Sequence, residues 1–160
     1  MRKAGILMPV ASLPGRHGCG TFGKEAYDFV KMMHQSGLGI WQLLPLNPLG
    51  YGNSPYQPYS SCAGDELYIS LDLLYDAGLL DKKPDTFREN AKSVDYTAVR
   101  AFKENYLREA FKKFLVKNGN EEPAYKDFIS QEWVYTYGVF RALKLRNKGA
   151  CWNEWKTEDK

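Results

Sequence analysis

The sequence contains no apolar run that approaches the roughly 20 residues of a membrane-spanning helix, and no N-terminal apolar segment of signal-peptide length. Cysteine is scarce as well: Cys19, Cys62 and Cys151 are odd in number and have no CxxC spacing. This pattern argues against a disulfide framework and against a zinc site, and it fits a reducing compartment. We therefore predict a cytoplasmic protein that does not associate with membranes.

Neither sign of charge dominates the chain. Its 160 residues include 22 Lys and Arg against 19 Asp and Glu, a net charge of +3, and the two signs are interspersed. A basic nucleic-acid-binding surface is therefore not predicted. Hydrophobic residues make up 44% of the chain and aromatic residues 14%, which is enough for a core and argues against disorder.

Patterns that carry chemistry are sparse. The two histidines, His17 and His34, lack metal-ligand spacing, so no metal site is predicted; His17, in a glycine-rich loop, is the one that could reach a ligand. No pair of carboxylates stands out as catalytic. The acidic residues near the middle of the chain flank an apolar segment and are interpreted as solvated or capping groups: Asp65, Glu66, Asp72 and Asp76.

The first part of the chain has a strand–helix–strand pattern. Residues 5–10 and 39–44 are short apolar runs, and residues 24–36 carry apolar side chains at helical spacing. The helical positions that share a face are Ala26, Phe29, Val30 and Met33. This spacing predicts a βαβ unit whose two strands are parallel and adjacent. Because the strands are apolar on both faces, both faces are expected to be covered.

Helices are predicted for the rest of the chain. One begins after Asp95, which suits a cap position, and ends near Gly119. Its apolar stripe consists of Val99, Phe102, Tyr106, Ala110, Phe111 and Phe114. A last helix opens at Pro123, and residues 133–140 are apolar nearly all round, which predicts that this helix is deeply buried or sandwiched between other elements. Residues 67–74 are compatible with either a strand or a helix.

Two parallel strands are too few for a stable sheet. An alternation of strand and helix, with long loops after the strands, is how a (β/α)₈ barrel begins, and such a barrel needs about 250 residues. We infer an α/β fold in which this chain is the front portion of a larger enzyme; a compact two-layer α/β domain is the alternative. With its strands left uncovered, the isolated chain is expected to aggregate or to be partly molten.

The loop after the second predicted strand, residues 45–64, contains no charged residue. Three tyrosines offer flat apolar faces with a hydroxyl at the rim, which suits the faces and edges of sugar rings: Tyr51, Tyr56 and Tyr59. Asn53, Ser54 and Gln57 add neutral donors and acceptors, and the prolines at 48, 55 and 58 reduce the ordering cost of binding. The alternative is that the tyrosines only pack the loop onto the body of the protein.

Residues 18–23 match the glycine pattern G-x-G-x-x-G between a strand and a helix, which makes a nucleotide-binding α/β domain another alternative. Two features argue against it. About seven residues separate the first predicted strand from the motif, and no Asp or Glu lies between Asp28 and Asp65 to hold a ribose.

Three blocks, S-L-P-G, L-P-L-x-P and G-Y-G-N-S-P-Y-Q, occur in this order, and with them the chain resembles the N-terminal part of the 4-alpha-glucanotransferases. These enzymes, also called amylomaltases or disproportionating enzymes, form glycoside hydrolase family 77. The resemblance implies a (β/α)₈ TIM barrel with inserted helical subdomains. Residues 1–65 would form the first βαβ part with the substrate loops, and residues 66–160 a mostly helical insertion, so that this chain holds an incomplete barrel.

The resemblance also implies an activity: retaining transfer of α-1,4-glucan segments between maltooligosaccharides through a covalent glucosyl-enzyme, with no metal or organic cofactor. Ser54 and Tyr56 resemble donor-side sugar contacts, and Tyr51 resembles a residue of a second glucan groove. Asn53 and Gln57 join them as substrate-binding candidates. The catalytic Asp and Glu of the family are expected beyond this chain, which leaves a non-catalytic α-glucan-binding module as the alternative function.

Overall fold

The computed structural model describes residues 2–89 and 91–159. By their internal contacts the residues fall into two compact units, Met1–Lys117 and Asn118–Lys160. Among the described residues the first unit contains two strands and three α-helices, and the second contains two α-helices joined by a short turn. No described helix is both long enough and apolar enough to cross a membrane.

The predicted βαβ unit is confirmed. Strand β1 (Gly5–Leu7) pairs in parallel with β2 (Ile40–Gln42), and helix α1 (Lys24–Gln35) connects them. The register places Ile6 opposite Trp41. Both strands are shorter than predicted, because a 3₁₀ turn begins at Val10 after β1 and the chain leaves the sheet before Pro45 after β2.

One face of this small sheet is covered and the other is open. Phe29 of α1 meets Trp41 edge-on at 5.0 Å, so α1 covers the face that carries Trp41. On the opposite face Leu7 is 54% exposed and Ile40 is 46% exposed. The prediction that both faces are covered is therefore wrong for the described residues, since α1 supplies cover on one side alone.

The core of the first unit lies beside the carboxyl ends of the strands, among the loops. Its buried members come from the loop after β1, from α1, from a 3₁₀ turn at Glu66–Tyr68 and from α3 (Tyr96–Val116): Val10, Ala11, Leu13, Cys19, Ala26, Leu67, Tyr68 and Val99. The ambiguous segment 67–74 therefore divides into this 3₁₀ turn and helix α2 (Leu71–Asp76), which the Ser70 hydroxyl caps by accepting from the Leu73 N–H.

Helix α3 begins where the sequence predicts, since the Asp95 carboxylate accepts a hydrogen bond from the Ala98 N–H at 3.0 Å. Its predicted stripe is buried only in part: Val99 and Ala110 are buried, whereas Phe111 is 50% exposed. Lys103, a charged residue outside the predicted stripe, is buried in the same helix.

The second unit corrects the prediction of one buried last helix. An extended residue, Gln131, separates α4 (Pro123–Ile129) from α5 (Glu132–Arg146). No residue of α5 is buried, and Tyr135 is 76% exposed. A unit this small cannot surround a helix on all sides. Instead Trp155 is buried, with its ring 6.0 Å from that of Phe140.

These exposed faces predict how the 160-residue chain behaves when expressed by itself. We expect it to aggregate, or to bind a hydrophobic dye strongly and unfold over a broad temperature range, because Leu7 and Ile40 leave apolar sheet surface in water. Dye fluorescence, light scattering and calorimetry measure this. A monomer with a sharp cooperative transition and little dye binding contradicts the prediction.

Candidate functional site

Two long loops follow the two strands and lie at the same edge of the sheet, since the strands are parallel. The first loop, residues 8–23, supplies much of the core. A backbone hydrogen bond of 3.0 Å from the Phe22 N–H to the Tyr68 carbonyl joins it to the segment that follows the second loop. The carboxyl edge of parallel strands is where α/β proteins place their ligands.

The second loop, residues 45–64, folds back on itself. Leu49 and Pro58 form an antiparallel bridge, and the Tyr59 N–H donates to the Pro48 carbonyl at 3.0 Å. Pro48 and Leu49 are buried, so the base of the loop is part of the protein body. At its tip a 3₁₀ turn spans Tyr51–Asn53, and Asn53 adopts a left-handed conformation with φ of 55°. We call residues 45–64 the uncharged loop.

The five predicted substrate-binding residues lie together at the tip of the uncharged loop. Tyr51 is 91% exposed and Tyr56 is 69% exposed, so neither ring is used to pack the loop onto the body. Asn53 and Gln57 are also exposed, and Ser54 is half-buried. The Ser54 hydroxyl accepts a hydrogen bond from the Tyr56 N–H at 3.3 Å, which fixes the backbone under the Tyr56 ring.

A cavity of about 340 Å³ opens beside the base of this loop. Its lining is mainly apolar and includes Phe22, Leu46, Tyr68 and Ile69, with Asp65 and Ser70 as polar members. The volume lies at the lower end of the range for small-molecule pockets, roughly 300–1,000 Å³. The sequence does not predict Phe22 as a site residue, because a lone aromatic residue in a glycine-rich loop matches no ligand-binding pattern.

For Asp65, predicted to be a solvated or capping group, the structure confirms the cap and contradicts the solvation. It does cap, since Oδ1 accepts from the Leu67 N–H at 2.9 Å, but its side chain is completely buried rather than solvated. Its Oδ2 accepts from the Leu49 N–H at 3.1 Å and from Arg100 at 2.6 Å. The available signal was its position: Asp65 is the first acidic residue after a stretch that has none from residue 29 onward.

His17 is part of the core rather than a ligand contact. It is buried, its ring lies 6.0 Å from that of Phe102, and its Nε2 accepts from the Arg16 side chain at 3.3 Å. Burial lowers the pKa of His17, opposed by the nearby Asp72 carboxylate. The imidazole is therefore neutral at neutral pH and serves packing.

The glycine pattern at 18–23 is accounted for by the packing of the chain on itself. A Cβ atom on Gly20 would lie 2.0 Å from the Val10 carbonyl oxygen, a contact that only glycine avoids. Between the glycines, Cys19 is buried, and desolvation raises its pKa to about 11, so the thiol stays protonated. Among the described residues no group of three or more His, Cys, Asp or Glu is placed to hold a metal ion.

Comparison with known proteins places this geometry in context. The sequence model of one protein family, described as 4-alpha-glucanotransferase, matches residues 8–160. The chain is 37% identical over 158 residues to a 4-alpha-glucanotransferase of Clostridium butyricum, covering 96% of this chain and 32% of that protein. It is 40% identical over 157 residues to one of Thermus thermophilus, covering 96% of this chain and 31% of the relative.

A solved structure is similar as well. The amylomaltase from Streptococcus agalactiae, determined in complex with acarbose, superposes with a TM-score of 0.86 at 34% sequence identity. The match covers 99% of this chain and 32% of that one. The chain thus spans about a third of the length of the proteins that it matches.

Proposed function

The chain belongs to the 4-alpha-glucanotransferase family, and from this membership we propose that the protein transfers α-1,4-glucan segments from one maltooligosaccharide to another. The observation that carries the proposal is the uncharged loop, with Tyr51 and Tyr56 exposed at its tip above a buried base. Flat, amphipathic rings on a rigid support suit the faces of sugar rings. The acarbose bound to the similar amylomaltase, a carbohydrate-like ligand, supports a glucan as the ligand here.

We propose the corresponding roles for the five loop residues. Tyr56 stacks on a sugar of the donor glucan, and the half-buried Ser54 hydrogen-bonds to it. Tyr51, the most exposed of these side chains, contacts glucan in a separate groove, while Asn53 and Gln57 bind hydroxyl groups at the rim. Arg100 lies against both Asp65 and Glu66, so we assign neither acid to catalysis.

The chemistry proposed is a retaining double displacement. Such a reaction needs two carboxyl groups about 5–5.5 Å apart, one as nucleophile and one as acid and base. A glucosyl-enzyme forms, and a glucan hydroxyl takes the place of water in the second step. Because this mechanism requires no metal or organic cofactor, dialysis against a chelator should leave the rate unchanged. No nucleic acid or membrane partner is proposed, and the cytoplasmic location stays a prediction.

For the fold we propose that residues 1–65 are the first βαβ part of a (β/α)₈ barrel and that residues 66–160 form a mostly helical insertion. The parallel pairing of β1 and β2, with long loops at their carboxyl ends, supports the first part. The helices α2 to α5 support the second. The boundary between the two compact units, which follows Lys117, lies within the proposed insertion.

The test uses the full-length protein with maltotriose as substrate, and measures glucose and longer maltooligosaccharides. We expect Tyr56→Ala to raise KM about tenfold, because stacking on one aromatic ring contributes on the order of 1 kcal/mol beyond area burial. Tyr56→Phe keeps the ring and should change KM by about threefold or less, the effect of one hydrogen bond.

Three results contradict parts of this proposal. Equal losses in Tyr56→Ala and Tyr56→Phe would assign the effect to the hydroxyl instead of the ring. Binding of maltotriose without any turnover by the wild type would favour a glucan-binding module. A wild type that neither binds nor converts maltotriose, but binds NAD or ATP, would favour the nucleotide-binding alternative.

A further inference from the structure

We propose that Asp65 is a positioning residue: its buried carboxylate joins the base of the uncharged loop to helix α3 through Arg100, and this connection sets the affinity of the loop for glucan. The inference rests on the proposed function, since it concerns how the same loop is held. Asp65 itself lies at the base of the loop, away from the tyrosines at its tip.

Both carboxylate oxygens of Asp65 accept hydrogen bonds. Its side chain is 0% exposed and receives three hydrogen bonds. Oδ1 accepts from the Leu67 N–H at 2.9 Å, while Oδ2 accepts from the Leu49 N–H at 3.1 Å and from Arg100 Nη2 at 2.6 Å. One side chain therefore connects the start of the uncharged loop, the segment that follows it, and a helix distant in sequence.

Asp65 also closes the loop through its backbone. Its N–H donates to the Leu46 carbonyl at 2.8 Å, so residue 65 contacts the entry of the loop with both its main chain and its side chain. The Asn47 side chain adds a third connection, donating to the Ala63 carbonyl at 2.9 Å. At the tip the backbone bonds are local, such as that from the Gln57 N–H to the Ser54 carbonyl at 3.3 Å. The orientation of the tip thus follows from the geometry of the base.

Arg100 fixes this base to α3. Its guanidinium contacts Asp65 through Nη2 and Glu66 through Nη1, at 2.6 and 2.8 Å. Its neighbour Val99 is buried in the core, and one turn further on Lys103 donates to the carbonyls of Leu67 and Ile69. Arg100 also neutralises the buried carboxylate, which would be costly to bury without a partner.

The substitution Asp65→Asn keeps the shape of the side chain, but the amide cannot accept all three hydrogen bonds that the carboxylate accepts. Its amide offers one oxygen as acceptor and one NH₂ group, which donates. If the oxygen faces Leu49 and Arg100, the NH₂ group meets the Leu67 N–H; in the other orientation it meets the Leu49 N–H and Arg100. Asp65→Asn therefore breaks the connection at one side while leaving the packing volume intact.

The test compares Asp65→Asn and Arg100→Gln with the wild type, all as full-length proteins acting on maltotriose. We expect KM to rise about tenfold and kcat to change by about threefold or less, because a loop that is no longer pre-organised must be ordered during binding. Arg100→Lys should raise KM less than Arg100→Gln does, since lysine keeps the positive charge but cannot contact Asp65 and Glu66 through two separate nitrogen atoms. The matched control is Arg108→Gln, which removes an exposed ion pair with Glu104 on the same helix and should leave KM unchanged.

The outcomes separate this inference from the proposed function. An active wild type with an unchanged KM in Asp65→Asn overturns the positioning role alone. A loss of kcat at constant KM, in proportion to the fraction of unfolded protein, also overturns it, because that is the signature of a purely structural residue. If the wild type binds maltotriose without converting it, the dissociation constant from titration calorimetry replaces KM in the same comparison. A wild type that does neither overturns both proposals.

Discussion

Gly50→Ala is expected to lower kcat/KM for maltotriose about a hundredfold in the full-length protein, the cost of misplacing a binding group by about 1 Å. A Cβ atom on residue 50 would lie 2.2 Å from the carbonyl oxygen of Gln57, and nothing flexible can move aside because the obstacle is backbone. The two segments of the uncharged loop approach each other here, next to the bridge between Leu49 and Pro58. A methyl group must therefore push apart the turn that carries Tyr56.

Gly39→Ala is the matched control for this prediction. The substitution is the same, but Gly39 is exposed directly before β2, outside the uncharged loop, and a Cβ atom there has no neighbour within 4 Å. We expect its kcat/KM to stay within about twofold of the wild type, as for most exposed substitutions. If Gly50→Ala retains full activity, the loop tolerates separation of its two segments, and its rigidity does not contribute to binding.

Local sequence signals predicted the elements that depend on local physics. The βαβ unit followed from the apolar spacing in α1 and from two short apolar runs, and the structure confirms both the pairing and its direction. The start of α3 followed from Asp95, since a cap needs only the residue itself and the first turn. The sequence left open whether the tyrosines of the loop pack onto the body, and the exposure of Tyr51 and Tyr56 decides against that alternative for these two rings.

Features that depend on residues distant in sequence were not predictable from patterns. Arg100 reaches Asp65 across 35 residues, and neither residue differs in type from an ordinary surface charge. The burial of residues 133–140 was wrong for a related reason: an apolar helix is buried only if enough chain surrounds it, and periodicity contains no information on that. The roles of Ser54 and Tyr56 came from family resemblance and stay predictions.

The second large effect is expected from Lys103, because the free energy of unfolding depends on pH when a buried ammonium group has a shifted pKa. It is 1% exposed, and its Nζ donates to the carbonyls of Leu67 and Ile69, the latter at 2.7 Å. Desolvation lowers its pKa from the ordinary 10.5 to about 8, partly offset by Cys19 and by the Asp65 carboxylate. Charge on Lys103 is therefore less favourable in the folded protein than in the unfolded chain.

The sign of the pH dependence follows from proton counting. Below about pH 8 both states bind the Lys103 proton; between pH 8 and 10.5 the unfolded chain binds it and the folded protein does not. Stability increases with pH wherever the unfolded state binds more protons, so Lys103 should add about 3 kcal/mol to the free energy of unfolding across this interval. Lys103→Met should remove that increase, whatever its effect on stability at pH 7.

At higher pH two other buried groups, Cys19 and Tyr68, change the stability in the direction opposite to Lys103. Their pKa values therefore determine the pH interval in which Lys103 can be measured. Burial raises the pKa of Cys19 from 9.0 to about 11 and that of Tyr68 from 10.0 to about 12, so the folded protein keeps these protons longer and loses stability as the pH rises. The interval from pH 8 to 9 therefore isolates Lys103. Unfolding measured there in a Cys19→Ala background should show a positive slope that Lys103→Met abolishes and that Lys112→Met, an exposed lysine of α3, preserves. Equal slopes in both lysine variants would mean that Lys103 is solvated in solution, and that its ammonium group does not hold α3 against residues 67–69, the segment that follows the uncharged loop.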